Sequence, residues 1–128
     1  MTKLGVGITV ALLGLAIALV AVPAGMAKDG DIRVRGTCTK SSTSKLKLSE
    51  EDGRIELEFE VDQNRNGVRW NVVIAQNGKR LVRMTRVTKA PSGSFEARIV
   101  APNTSGKDTF TARATRPSGE MCTAQASF

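Results

Sequence analysis

Arg54-Ile55-Glu56-Leu57-Glu58-Phe59-Glu60-Val61-Asp62 alternates apolar and charged residues without a break. Ile55, Leu57, Phe59 and Val61 fall on one side and Glu56, Glu58 and Glu60 on the other. A two-residue period would scatter the apolar set around a helix, whereas on a strand it gathers on one face. The segment therefore reads as a half-buried β-strand. The pattern extends both ways. Ile32-Arg33-Val34-Arg35 runs into Cys38, Lys45-Leu46-Lys47-Leu48 follows, and further strands are expected over 68–75, 81–87, 95–100, 110–115 and 122–128.

Turn chemistry separates these runs. Glu51-Asp52-Gly53, Asn64-Arg65-Asn66-Gly67, Asn77-Gly78, Ala90-Pro91-Ser92-Gly93, Asn103-Thr104-Ser105-Gly106 and Pro117-Ser118-Gly119 are built from turn-forming residues. Asn77-Gly78 is the strongest hairpin signal among them. Short strands at regular spacing, with no helix needed between them, predict an all-β antiparallel β-sandwich of about 7–8 strands. If the strand ending at Asp62 folded straight back onto the one starting at Val68, Glu60 would oppose Trp70 and Phe59 would oppose Asn71. That pairing puts charge in the core, so the chain is expected to cross to a second sheet there.

Trp70 on the strand after that crossing, the short alternating strands and the hairpin over 110–128 resemble an immunoglobulin or fibronectin type III-like sandwich. The likeness covers nearly all of the chain after residue 27 and implies an immunoglobulin-like two-sheet domain. Two features depart from its pattern. Cys38 and Cys122 would join the first and last strands, where the typical bridge pins two inner ones, and the chain has no tyrosine to form the usual corner. The segments Ile32-Arg33-Val34-Arg35-Gly36-Thr37-Cys38-Thr39 and Glu51-Asp52-Gly53-Arg54-Ile55-Glu56-Leu57-Glu58-Phe59-Glu60-Val61 are also similar to small exported actinobacterial proteins with no assigned activity. That likeness adds no function.

Residues 1–27 read as a signal-peptide helix ahead of a domain spanning 28–128. Lys3 precedes an apolar run from Leu4 to Val22, and Pro23-Ala24-Gly25-Met26-Ala27 offers small residues for a cut after Ala27, or after Ala24. Left uncleaved, the run is long enough to anchor the chain in a membrane. Export is expected to make the protein secreted, into a compartment where thiols oxidise, and Cys38 with Cys122 to form one disulfide closing almost the whole domain. With two cysteines, no CxxC spacing and no histidine, a thiol metal site is disfavoured.

The chain carries 19 basic and 12 acidic residues, net +7, and loss of Lys3 with the leader leaves +6. Acids crowd 50–62, while Arg69, Lys79, Arg80, Arg83, Arg86, Lys89, Arg98, Arg113 and Arg116 dominate the second half. Such residues either guard strand edges and keep the surface solvated, or form a basic face for anionic wall polymers or lipid headgroups. Nucleic acid is disfavoured, because Phe59, Trp70, Phe95 and Phe110 occupy core positions and leave no stacking platform. A two-residue turn at Asn77-Gly78 makes opposing residue numbers sum to 155, pairing Ile74 with Leu81 and Val73 with Val82, beside Met84. Such a hairpin is apolar on both faces, which marks either a docking surface or a bulge that hides these residues. The candidate binding face is Arg69, Val73, Arg80, Val82, Arg83, Met84 and Arg86.

No catalytic or metal-ligating set emerges, and no cofactor is implied. The usual general base is missing without histidine. Glu56 and Glu58 lie two apart on one outer strand face, and the acidic turns at Asp29, Asp31 and 50–52 lack calcium-loop spacing. The reading is a non-enzymatic, secreted binding domain for an envelope or extracellular protein or an anionic polymer. The alternatives are an accessory domain that forms a homodimer through a sheet face, and a small hydrolase inhibitor presenting loop 63–67 or 103–106.

Overall fold

The computed structural model describes residues 30–128 together with Gly5. Gly5 aside, the leader expected over 1–27, with its helix and its cut at Ala27, lies outside the described residues. Among the described residues, nine strands build a sandwich of two antiparallel sheets: β1 (Ile32–Arg35), β2 (Thr37–Cys38), β3 (Thr43–Glu51), β4 (Arg54–Asp62), β5 (Arg69–Gln76), β6 (Lys79–Val87), β7 (Ser94–Ala101), β8 (Thr109–Thr115) and β9 (Met121–Ser127). One sheet has the order β1-β3-β4-β7 and the other β2-β9-β8-β5-β6. The chain crosses between them after Asp62, as the pairing argument requires. The count exceeds eight because Gly36 divides the first expected strand into β1 and β2.

The alternation over 54–62 becomes burial: Ile55, Leu57, Phe59 and Val61 of β4 are fully buried beside Leu46 and Leu48 of β3. Trp70, Val72, Ile74 and Phe110 meet them from the second sheet. Inward positions on β8 and β9 are Ala112, Ala114, Ala124 and Ala126, flanking Cys122. These small side chains let the layers close, and β3 and β9 bring Cα atoms within 8 Å, nearer than the roughly 10 Å usual for stacked sheets.

The first strand seals that flank. It pairs with β3 as β1, passes Gly36 and pairs with β9 as β2. A Cβ at Gly36 would stand 2.7 Å from the Thr123 carbonyl oxygen, so a larger residue there would force the strands apart. Cys38 and Cys122 are directly opposed and joined by the disulfide. The opposite flank, where β6 and β7 are the edges of the two sheets, stays open.

Buried polar groups pin the crossings. Between β4 and β5, buried Thr88 accepts the Val68 N–H at 2.9 Å and donates to the Arg65 carbonyl at 2.6 Å, while Gln63 accepts the Trp70 indole N–H at 3.0 Å. Between β7 and β8, fully buried Asp108 accepts from the side-chain amides of Gln76 and Asn77, each at 3.0 Å, and from the Thr104 N–H at 2.9 Å.

The disulfide spans 84 residues of sequence. A link over so long a loop constrains the unfolded chain strongly, so changing both cysteines to alanine is expected to lower stability by about 2–4 kcal/mol, measured as a shift in the denaturant midpoint.

Candidate functional site

The second sheet presents an outer face whose composition follows from strand parity. On β5, Trp70, Val72 and Ile74 point inward, which turns Arg69, Asn71, Val73 and Ala75 outward. On β8 the buried Phe110, Ala112 and Ala114 turn Thr111, Arg113 and Thr115 outward, and on β9 Thr123 and Gln125 follow. Register then aligns rows across the strands. Val73 stands opposite Arg83 of β6 on one side and Arg113 of β8 on the other. Arg83 and Arg113 thus flank Val73 with Cα atoms about 10 Å apart, two strand spacings. Ala75 lies between Arg80 and Thr111, and Arg69 opposes Val87.

The hairpin register departs from the simple sum of 155. It holds for Gln76 with Lys79 and Ala75 with Arg80, then a bulge between Ile74 and Ala75 leaves Leu81 as the extra residue and shifts every later pair by one. Ile74 therefore opposes Val82, not Leu81, and Val73 opposes Arg83, not Val82. The physical reason is burial, since the shift turns Val82 and Met84 inward, where they pack half-buried against the core. The candidate face of seven residues is accordingly split. Arg69, Val73, Arg80 and Arg83 share the outer face, whereas Val82, Met84 and Arg86 lie on the inner side of β6. Arg86 reaches across to donate to the backbone carbonyls of Glu96 at 3.3 Å and Thr85 at 3.1 Å. Arg113 joins the outer set, and its outward parity was already written in the alternation over 110–114.

The two outer faces differ sharply in charge balance. On the first sheet, β4 glutamates sit between cations: Arg98 bonds Glu56 at 2.6 Å and approaches Glu51 at 3.5 Å, Lys47 lies 3.5 Å from Glu58, and Lys45 lies 3.6 Å from Glu60. The Arg98 hydrogen bond holds the Glu56 carboxyl down at about 2. Burial, with Glu56 close by, pushes Glu58 up, and the shared hydrogen bond with Glu56 raises Glu51. On the second sheet no carboxylate among the described residues lies on the outer face. Among the described residues, Arg69, Arg80, Arg83 and Arg113 make no ion pair. The chemistry on offer is an array of guanidinium donors on one sheet face with hydroxyl and amide groups between them.

Two buried carboxylates escaped the sequence reading, because each sits in a stretch that reads as ordinary turn. Asp108 is held down at about 2, chiefly by the Thr104 hydroxyl. Glu120 is fully buried. Burial pushes its carboxyl up, yet hydrogen bonds from the Ser42 N–H and hydroxyl and from Arg116 outweigh this and leave it lowered. Arg116 also lies over the Trp70 ring, 5.7 Å from its centroid. Both are braces for loops. Among the described residues, no three acidic, cysteine or histidine groups come together to hold a metal ion.

No protein-family model, no curated protein and no solved structure matches this chain.

The lowered carboxyls have a consequence for acid stability. Groups whose folded pKa lies below the ordinary value of 3.8 or 4.5 stabilise the fold above that range and lose this effect as pH falls toward about 2. Thermal melting is expected to drop progressively between about pH 5 and pH 2. Asp108→Asn is expected to melt lower than the parent at neutral pH, with the gap narrowing as the pH approaches 2.

Proposed function

We propose that this protein is an exported, non-enzymatic binding domain that docks an anionic polymer of the cell envelope on the outer face of the second sheet. The observation that carries the reading is the carboxylate-free array of Arg69, Arg80, Arg83 and Arg113. With the paired glutamates concentrated on the first sheet, that face keeps its guanidinium groups available to an external anion. Guanidinium forks match carboxylate and phosphate geometry, and neighbouring hydroxyls and amides suit a hydroxylated backbone. Each exposed contact contributes roughly 1 kcal/mol or less. Affinity therefore comes from several contacts along one chain, made on a sheet that loses little freedom on binding. The face has no aromatic platform, which favours a polymer without bases to stack.

Equilibrium binding to polyphosphate and to an anionic polysaccharide tests this. Arg83→Ala combined with Arg113→Ala is expected to weaken binding about tenfold, and raising salt from about 0.05 to 0.3 M should weaken the parent steeply. Arg35→Ala with Lys45→Ala, on the other sheet, should leave affinity within about twofold. Equal loss from both pairs, or none from the first, would contradict the reading.

A further inference from the structure

The open flank between β6 and β7 has a directionality that follows from hydrogen bonding. Thr88 turns its backbone toward β5: its N–H donates to the Val68 carbonyl at 2.9 Å and its carbonyl accepts the Gly67 N–H at 2.7 Å. In the same register Arg86, Met84 and Val82 oppose Trp70, Val72 and Ile74. Alternation along a strand then points the backbone groups of Arg83, Thr85 and Val87 away from the sheet. Lys89 continues that outward series, and the chain closes on it there: the Lys89 N–H donates to the Ser94 carbonyl at 2.9 Å and its carbonyl accepts the Gly93 N–H at 2.9 Å and the Ser94 N–H at 3.3 Å. Beyond this bridge β6 and β7 splay apart around a cleft of about 500 Å³. Arg86 spans its mouth, and its bond to the Thr85 carbonyl occupies one of the outward acceptors.

Natural sheet edges of this length are usually blocked. β6 carries its bulge at Leu81, near the turn, but from Val82 to Val87 it runs in one register without proline, and among the described residues two of the three large exposed hydrophobics, Leu81 and Val87, lie on it. Half-buried Val82 and Met84 on β6 and Ile99 on β7 leave apolar surface along the inner side of the flank. Arg80 and Arg83 line the outer side, and Glu60 and Glu96 stand on the far wall. A strand laid beside β6 would meet apolar surface with one set of its side chains and cations with the other.

We infer that this flank accepts an extended segment of a partner protein by strand addition to β6, the segment alternating apolar and acidic residues. Its backbone pairs with Arg83, Thr85 and Val87, its apolar side chains cover Val82, Met84 and Ile99, and its carboxylates face Arg80 and Arg83. The incoming N–H takes the Thr85 carbonyl in place of Arg86, whose bond to the Glu96 carbonyl remains. Main-chain pairing supplies affinity and the alternating side chains supply selectivity.

A capped peptide Ile-Glu-Leu-Glu-Phe-Glu-Val, the alternation that residues 55–61 themselves display, is a suitable probe. Titrated into the intact protein, it is expected to bind saturably and to shift backbone amide resonances over 82–88. Three changes should each weaken it about tenfold or more: N-methylation of alternate peptide amides, lysine in place of its glutamates, and Thr85→Pro, which removes an outward N–H and the hydroxyl's 3.5 Å bond to Asn71 but no ladder bond. Arg113→Ala should leave peptide binding intact while weakening the polymer, so this inference and the proposed function fail separately. Equal binding by the N-methylated or the lysine peptide, or shifts lying away from β6, would overturn it. If Thr85→Pro does not fold, the two altered peptides and the amide shifts on the parent protein decide.

Discussion

The ion pairs on both sides of β4 govern how charge is distributed over the molecule. Burial of Ile55, Leu57, Phe59 and Val61 fixes the face of the strand, and a slip by one residue would drive every glutamate into the core. With that face fixed, Glu56, Glu58 and Glu60 stand between Lys45 and Lys47 on β3 and Arg98 on β7. Exposed pairs of this kind add little stability. Their effect is positional: acid and base compensate each other on one sheet, and the second sheet keeps arginines that no carboxylate among the described residues answers.

The two flanks of the sandwich are shaped by different residues. On one side, alanines at inward positions of β8 and β9 let the layers close, and the first strand switches sheets at Gly36 and is pinned to β9 by the Cys38–Cys122 link. On the other, Val82, Met84 and Ile99 are only half covered, and the Lys89–Ser94 bridge and Arg86 tie the two edges across the gap. A domain sealed on one flank and open on the other is asymmetric in what it offers a partner, and both the basic face and the free edge include β6.

Much of this was legible in the sequence. The strands, the hairpin at Asn77-Gly78, the crossing after Asp62 and the cysteine pair follow from period, turn chemistry and the exclusion of charge from the core. The bulge was visible only as a contradiction, a hairpin apolar on both faces. Local turn geometry sets the sum at 155, and the burial of Val82 and Met84 overrides it one residue later. Arg113 could be placed outward by parity, but its neighbourhood with Arg83 depends on β8 lying beside β5, a consequence of crossovers that local pattern does not encode. Asp108 and Glu120 were hidden for a related reason, since their partners Gln76, Asn77 and Ser42 are distant in sequence.

The most direct measurement of the central claim is a backbone amide NMR titration of the oxidised domain with a short polyphosphate at low salt. The account predicts that the largest shifts cluster at Arg69, Val73, Arg83 and Arg113 and their row neighbours on β5, β6 and β8. Shifts centred on β3 and β4, or spread evenly over both sheets, would contradict it.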